Sequence, residues 1–229
     1  MSLETSASTS EQLPSELEFH SRWSFWSVTA GSRNAWELKE IFTIDSLASF
    51  WQFFNAMKMP SEFGNAAVEV ALFRHGIQPD WEHEPCNHGG RWSARLDRVQ
   101  NYDALDQAWI NLLLGLVGET IRADASESEI LGVALSGRGS HSRRISLWTG
   151  IREKDRVLEI GNSLKENLRS ELTDKDIGEM LFHDFESNNK SFAVIGNTGK
   201  KDRKVLKQSK SNASDKGVAP FATLSTPNQ

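Results

Sequence analysis

The chain has little of several features that assign proteins to a class at once. Its 229 residues include a single cysteine, which excludes an intramolecular disulfide framework and a cysteine-rich zinc ribbon and indicates a reducing compartment. No apolar run is long enough to span a bilayer, and the start of the chain lacks the basic and apolar regions of a secretory signal. The net charge of −5 argues against a protein that grips long stretches of phosphate backbone. We therefore expect a cytoplasmic protein with no membrane partner.

Charge and composition divide the chain into three parts. Residues 1–18 contain four acidic residues and no basic one, which predicts a disordered acidic extension. Residues 186–229 contain eight Lys/Arg and three Asp/Glu, which predicts a basic, mostly flexible tail with a short ordered piece at 192–195. Residues 19–185 carry all eight tryptophans and are expected to form one folded domain.

Within this domain, the hydrophobic pattern alternates between the strand and helix periods. Strands are predicted at 22–29, 36–44, 68–73, 91–97, 129–136, 143–149 and 180–185. Helices are predicted at 102–119, at 153–168 and around Leu47–Phe54, the last with Thr43 or Asp45 as its cap. Neighbouring strands punctuated by three amphipathic helices predict an α+β fold, with a largely antiparallel sheet and the helices on one face.

Several sequence motifs that would indicate catalysis or cofactor binding are incomplete in this chain. His83, Cys86 and His88 lie close together, but no second ligand pair follows them, so we interpret them as solvent-exposed loop residues rather than a zinc site. Gly199-Lys200 lacks the other residues of a phosphate loop. No nucleophile signature is present, although sequence alone leaves open a triad assembled from distant residues. The sequence favours a binding protein without cofactor or metal over an enzyme.

The chain is unusually rich in tryptophan, with eight Trp against one Tyr. Most occupy helix or strand positions that packing explains, but Trp36 and Trp81 do not. Trp36 follows a turn-forming run, and Trp81 lies in a loop framed by prolines and charges. A large apolar side chain in such a loop either packs or stacks on a ligand.

The residue after Trp81 favours the ligand. Glu82 places a carboxylate, which accepts two parallel hydrogen bonds, beside a flat aromatic surface. A guanine offers two matching donors on its Watson–Crick edge, and a cationic base would add a cation–π attraction. Arg138, Arg143 and Arg144 flank a predicted hairpin and could contact phosphates. This combination indicates a compact nucleotide end rather than a long nucleic-acid backbone.

From residue 22 to about 168, the chain resembles the eukaryotic translation initiation factor 4E family of mRNA cap-binding proteins, as a divergent member. The resemblance rests on the spacing of all eight tryptophans and on these motifs: Arg22-Trp23-Ser24-Phe25-Trp26, Trp36, Phe50-Trp51, Gly76-Ile77-x-Pro79-x-Trp81-Glu82, Gly89-Gly90-Arg91-Trp92, Trp109-x-x-Leu112-Leu113 and Ile145-x-Leu147-Trp148. It implies a curved antiparallel sheet backed by three helices on its convex face.

The resemblance also implies a site for the 7-methylguanosine cap of mRNA. Trp36 and Trp81 would sandwich the methylated base, Glu82 would accept from its Watson–Crick edge, and Trp148 would touch the methyl group. Arg91 and Arg144 would serve the phosphates. A further phosphate-binding Arg of the family aligns on Gly139 without a gap, and on Arg138 if one residue is inserted; Arg143 completes the expected phosphate-binding set.

On the convex face, the resemblance implies a surface for a scaffold of the factor 4G type or for a 4E-binding protein, formed by Leu47, Trp51, Ile110, Leu114 and Gly118. Two departures lie there: Leu17-Glu18-Phe19 replaces the usual His-Pro-Leu, and Asn111 replaces an acidic residue. Two functions follow as expectations. The chain either links capped mRNA to a scaffold for translation initiation, or acts as a cap-binding or partner-binding repressor that assembles no initiation complex.

Overall fold

A computed structural model describes residues 18–30, 36–63, 67–96, 99–122, 124–138, 142–186 and 191–196. Eight strands form one sheet: β1 (Glu18–Ala30), β2 (Trp36–Ser46), β3 (Val68–Arg74), β4 (Gly90–Arg95), β5 (Gly132–Arg138), β6 (Ser142–Thr149), β7 (Met180–Asp184) and β8 (Ser191–Ile195). The helices are α1 (Leu47–Phe54), α2 (Glu84–Asn87), α3 (Tyr102–Val117), α4 (Lys154–Arg169) and α5 (Asp174–Ile177), with a 3₁₀ turn at Pro60–Phe63.

The sheet has the order β2-β1-β3-β5-β6-β4-β7-β8, and every neighbouring pair is antiparallel. Because side chains alternate between the two faces of a strand, each strand contributes to two layers. The predicted curved, mostly antiparallel sheet backed by helices is confirmed.

The convex face carries the larger hydrophobic core, against α1, α3 and α4. Trp92 of β4 is fully buried there, and its indole Nε1 donates to the carbonyl oxygen of Val157 at 2.7 Å. Helix α4 approaches the Trp92 ring closely because Gly161 has no side chain: a Cβ there would lie 2.4 Å from Cε2 of Trp92. This contact fixes β4 against α4.

The concave face carries a second, smaller cluster of buried side chains. Trp26, Phe73, Trp148 and Phe185 are among its members, and Leu38, Ile77 and Trp81 pack on it while remaining partly exposed. The connection from β3 to β4 crosses this face through α2. A concave surface lined with aromatic groups is therefore built into the sheet.

The structure corrects several sequence expectations. The cap of α1 is Ser46, whose hydroxyl accepts from the Ser49 N–H, rather than Thr43 or Asp45. Cys86 is fully buried in α2, so it is not an exposed loop residue, and burial raises the pKa of its thiol to about 12. The described residues contain no group of His, Cys, Asp and Glu side chains suited to a metal ion.

β8 lies beyond residue 185, in the tail where the sequence predicts a short ordered piece at 192–195. β8 pairs with β7 and buries Ala193. The predictions for residues 1–17 and 197–229 fall outside the described residues. No helix in the described ranges is both long and apolar enough to cross a membrane.

Candidate functional site

The loop that follows β3 presents Trp81 and Glu82 above the concave cluster. A hydrogen bond of 3.0 Å from the Glu82 N–H to Oδ1 of Asp80 and one of 3.1 Å from the His83 N–H to the Asp80 carbonyl give the loop its tight turn. Trp81 rests partly buried on the concave cluster. Glu82 is exposed, and its carboxylate has no hydrogen bond or ion pair among the described residues. The loop therefore offers an indole face and an uncommitted carboxylate side by side.

For Trp36 and Arg138, the structure gives the position of the backbone in the sheet. Trp36 begins β2 and is paired with Ala30 at the end of β1, and Leu38 two residues later joins the concave cluster. Arg138 ends β5 and is paired with Ser142 at the start of β6. Gly139, the alternative alignment of that arginine, lies outside the described residues.

Two adjacent glycines let β4 pass close to its neighbours just before Arg91. A Cβ on Gly90 would lie 2.4 Å from the His183 carbonyl oxygen, and a Cβ on Gly89 would lie 1.8 Å from the Thr149 carbonyl oxygen. No side chain fits at either position. The Gly-Gly pair thus leads into Arg91, which is paired with Trp148 of β6 on one side and with His183 of β7 on the other.

Arg91 is a cation held deep on the concave face. Its pKa is lowered to about 10, mainly by burial; the carboxylate of Glu69 opposes this shift and the charge of Arg144 adds to it. The guanidinium carbon lies 5.7 Å from the centre of the Trp148 ring. The Nε atom is buried without a hydrogen-bond partner in the described part of the chain. A half-buried guanidinium with an unsatisfied Nε, beside a second arginine, is suited to binding an anion.

Trp148 forms the floor of the concave cluster. Its ring meets Phe185 at a centroid distance of 4.8 Å and the edge of Phe73 at 5.4 Å, and only 1% of the residue is exposed. The structure therefore brings Trp81, Glu82, Arg91, Arg144 and Trp148 to one face, with Trp148 beneath the surface.

Arg143 does not belong to this group, contrary to the sequence expectation. It is buried on the convex side, where its Nε donates to the Pro60 carbonyl oxygen at 3.3 Å and its guanidinium carbon lies 5.8 Å from the centre of the Phe63 ring. Adjacent strand residues face opposite sides of a sheet. With Arg144 on the concave face, Arg143 must lie on the other.

Two residues of the site were missed by sequence reasoning. Glu69 of β3 lies close enough to Arg91 to influence its pKa. Its only sequence signal is an acidic residue inside an otherwise apolar strand. Phe185 covers Trp148, and its N–H donates to the carbonyl oxygen of Gly89 at 3.2 Å. No sequence pattern indicates that contact, because it joins residues 96 positions apart.

The expected partner surface lies on two helices of the convex face. Trp51 of α1 is 39% exposed and meets Phe50 and Phe54 edge-on, at centroid distances of 5.2 Å and 5.4 Å. Leu47 begins α1 and is half-buried. Ile110, Leu114 and Gly118 follow one another at four-residue spacing along α3 and therefore share one side of it. The first two are half-buried, and Gly118 is exposed at the helix end.

Asn111, for which the resemblance implies an acidic residue, is already engaged on this surface. Its Oδ1 accepts from Nε2 of Gln107 at 3.0 Å, and its Nδ2 donates to Oε1 of Glu171 at 3.1 Å. The amide thus joins α3 to the segment that follows α4. The surface has a neutral side chain here, and its nearest acid is Glu171.

Comparison with known proteins agrees with this arrangement. The model of the family described as eukaryotic initiation factor 4E matches residues 18–201. Eukaryotic translation initiation factor 4E-1 of Caenorhabditis elegans is 33% identical over 163 residues, which cover 70% of this chain and 74% of that protein. Isoform 4E of Arabidopsis thaliana is 34% identical over 177 residues, which cover 75% of this chain and 85% of that protein.

Solved structures agree as well. C. elegans eIF4E-3, solved in complex with the 4E-binding protein Mextli, superimposes with a TM-score of 0.68 at 26% identity and covers 79% of this chain and 100% of its own. Ascaris suum eIF4E-3, solved with an m7G cap, gives a TM-score of 0.68 at 28% identity over 80% of this chain and 99% of its own. The family match spans most of the chain and includes every strand of the sheet. The chain belongs to the eukaryotic initiation factor 4E family.

Proposed function

We propose that this protein binds the 7-methylguanosine cap of mRNA on its concave face and a scaffold protein of the factor 4G type on its convex face. The observation that carries the proposal is the Trp81–Glu82 loop, which sets an exposed carboxylate next to an indole supported from below by the concave cluster. The complex of Ascaris eIF4E-3 with a cap supports the first half, and the complex of C. elegans eIF4E-3 with the 4E-binding protein Mextli supports the binding of a protein partner.

The base would lie between Trp81 and Trp36. Leu38, two residues after Trp36 in β2, packs on the concave cluster. Stacking contributes about 1–3 kcal/mol per base. The N7-methyl group makes the base cationic, and a desolvated cation–π contact adds about 2 kcal/mol. Glu82 would accept from N1–H and the 2-amino group, which only guanine presents together on that edge.

The phosphates would extend towards Arg91 and Arg144, with Arg138 at the end of β5 as a third cation. Arg91 supports this direction because its Nε lacks a partner in the described residues and its charge is partly desolvated. Charge-assisted hydrogen bonds to a desolvated arginine are stronger than those to a hydrated one. We leave Arg143 out of the set because it is buried on the opposite face.

Trp148 would contact the methyl group only after its edge is uncovered. In the structure, Phe185 and Arg91 pack on the ring. We propose that the incoming base displaces one of them, so that Trp148 completes the apolar surface around the methyl group.

Cap binding is tested by titrating 7-methyl-GTP and GTP against intrinsic tryptophan fluorescence. Loss of about 1–3 kcal/mol of stacking in Trp81→Ala corresponds to roughly a 5- to 150-fold weaker Kd. Glu82→Gln keeps the shape of the side chain but removes the charge, and is expected to weaken binding at least tenfold. Trp51→Ala, on the convex face, is the matched control and is expected to leave the Kd unchanged. Equal affinity for methylated and unmethylated nucleotide would contradict the cation–π argument.

Scaffold binding is tested by capturing the protein on 7-methyl-GTP resin and adding a factor 4G fragment. Trp51→Ala is expected to abolish co-retention of the fragment while the protein itself stays on the resin. A separate incubation distinguishes binding from turnover. A labelled cap mixed with the protein is expected to remain intact, and its hydrolysis would contradict a pure binding role.

One observation favours the repressor alternative. Asn111 binds Glu171 through its amide and leaves a neutral side chain where the resemblance implies an acidic one. A scaffold that needs the acid would bind weakly here, and the protein would then hold capped mRNA without assembling an initiation complex. Asn111→Glu distinguishes the two: gain of factor 4G binding supports the repressor, and strong binding by the unaltered protein rejects it.

A further inference from the structure

A cavity of about 540 Å³ lies at the opposite end of β1 from Trp36. Its wall includes His20 and Arg22 from β1, His75 and Ile77 after β3, Pro85 of α2, and Leu131. This volume falls within the range of small-molecule sites, about 300–1,000 Å³. None of the residues assigned above to the base, the phosphates or the scaffold lines the cavity.

Most of the acids around this cavity are already engaged. Glu119 accepts from Ser21 at 2.7 Å and from Arg74 at 3.1 Å. Oε1 of Glu127 lies 3.3 Å from the Ser21 hydroxyl and 3.7 Å from Nε2 of His20. Arg74 also lines the cavity, and its Nε donates a hydrogen bond to the Ile130 carbonyl oxygen at 3.0 Å. These contacts fix one wall and leave little acidic capacity for a cationic ligand.

Arg22 is different, because its guanidinium makes no hydrogen bond or ion pair within the described ranges. His75 lines the cavity beside it and is held from behind by the Ser24 hydroxyl, 2.9 Å from its Nδ1. Ser24 donates in turn to Oε1 of Glu40 at 2.6 Å, and this oxygen lies 3.7 Å from Nδ1 of His75, on the side of the ring that faces Ser24. The cavity therefore combines one uncommitted cation with an imidazole held in a defined orientation, a donor set suited to an anionic group.

The remaining wall is apolar and connects to the Trp81 loop. Leu131 belongs to the concave cluster, and Ile77 packs on that cluster as Trp81 does. Ile77 immediately precedes the loop and Pro85 immediately follows it. An apolar group in the cavity would touch both stems of the loop and the underside of its support.

We propose that this cavity binds a small ligand that carries a phosphate or carboxylate on an apolar group. The anion pairs with Arg22 and His75, and the apolar part packs on Ile77, Pro85 and Leu131. Occupancy tightens the two stems of the Trp81 loop and so changes the affinity for the cap; this second step rests on the proposed function, whereas ligand binding itself does not.

Binding is tested by NMR titration of the intact protein with phenyl phosphate, benzoate and the uncharged benzyl alcohol. Fragments of this size bind with a Kd on the order of millimolar. The backbone signals of Ile77 and Leu131 and the ring signals of His75 are expected to shift with at least one of the two anions. The stronger anion identifies the preferred headgroup. Equal shifts with benzyl alcohol, or no shifts with any probe, would overturn the proposal.

Matched variants separate this cavity from the phosphate site. Arg22→Gln is expected to weaken binding of the anion at least fivefold, whereas Lys175→Gln on α5 and Arg144→Gln on the concave face are expected to leave it unchanged. Weakening by Arg144→Gln instead of Arg22→Gln would assign the anion to the concave face and reject the cavity. Thermal melts of the three variants verify that each is folded.

Coupling is tested by measuring the Kd for 7-methyl-GTP with and without saturating anion. A shift of at least twofold that is lost in Arg22→Gln supports the coupling, and an unchanged Kd rejects it. Repeating the anion titration on Trp81→Ala measures ligand binding in the cavity independently of cap binding. If the protein fails to bind 7-methyl-GTP at all, the proposed function is wrong, but the anion shifts at Ile77 and His75 still decide whether the cavity is a site.

Discussion

Replacing Gly161 by alanine tests how the helical layer positions Arg91. An ideal Cβ at this position of α4 would lie 2.4 Å from Cε2 and 2.6 Å from Cζ2 of Trp92, and 2.7 Å from Cδ1 of Ile195. Favourable carbon contacts begin at about 3.5 Å, so one of the elements must move by about 1 Å. The Trp92 indole cannot slide freely because its Nε1 is bonded to the Val157 carbonyl oxygen.

The expected cost follows from three effects. Overpacking a well-filled core costs about 1–3 kcal/mol, and weakening the buried indole hydrogen bond costs about 1 kcal/mol more. Alanine offsets roughly 1 kcal/mol through its higher helix propensity. We therefore expect Gly161→Ala to lower the free energy of unfolding by about 1–3 kcal/mol, which for a domain of this size lowers Tm by roughly 3–10 °C.

Urea unfolding followed by circular dichroism measures this change, with Gly115→Ala as the matched control. Gly115 also lies inside a helix, α3, but its nearest non-local atom would be Cγ1 of Ile121 at 3.0 Å, on a side chain that can turn away. The control is expected to lie within about 1 kcal/mol of the parent. If the two variants are equally stable, the close approach of α4 to Trp92 is not a constraint. Arg91 is the neighbour of Trp92 in β4, so a displacement of Trp92 also moves Arg91. Gly161→Ala is therefore also expected to weaken 7-methyl-GTP binding, though less than Trp81→Ala does.

Two further predictions concern charged side chains. Arg143→Met is expected to lower stability, because the Pro60 carbonyl loses its buried donor, while leaving 7-methyl-GTP affinity unchanged. Arg144→Gln is expected to weaken 7-methyl-GTP binding while leaving stability unchanged. Urea melts and fluorescence titrations of both variants measure these effects. Hydrogen bonds from Arg156 hold the pKa of Glu129 below its ordinary value, so this contact stabilises the fold above about pH 4.3 and is lost as the pH falls through the lower folded pKa. Arg156→Gln should therefore raise the midpoint pH of acid unfolding in a circular dichroism titration, and an unchanged midpoint would contradict the assignment.

Periodicity predicted the long elements well, because their patterns are local. The three main helices and seven of the eight strands lie where the apolar spacing predicts them, with ends that differ by a few residues. The predicted N-cap of α1 was wrong for a physical reason. Ser46 and Ser49 exchange side-chain and backbone hydrogen bonds, whereas the common capping box has Glu or Gln three residues after the N-cap, where Ser49 stands here. The short helices α2 and α5 were missed because four residues make only one helical turn, and a single turn shows no repeated apolar spacing.

The face of each arginine in β6 could have been predicted from the sequence. Ile145 and Leu147 alternate towards the convex core, so Arg143 belongs to that face and Arg144 to the other. Proximity in the sequence favoured grouping the two arginines, but the pleat of the strand separates them. The pattern of apolar neighbours is the better guide to the side of a sheet on which a charge lies.

The remaining site contacts depend on strand order, which the local pattern does not contain. β3 and β4 are consecutive in the chain but lie on opposite sides of the β5–β6 hairpin. This order places β6 beside β4, so that Arg144 acts on Arg91 from the neighbouring strand, whereas Glu69 acts on it from β3, across the hairpin. It also makes the β3–β4 connection long enough to cross the concave face, and that connection is the segment that carries Trp81 and Glu82. The same crossover therefore creates the loop proposed to hold the base and brings it over the face on which Arg91 and Arg144 lie, as a base joined to a chain of phosphates requires.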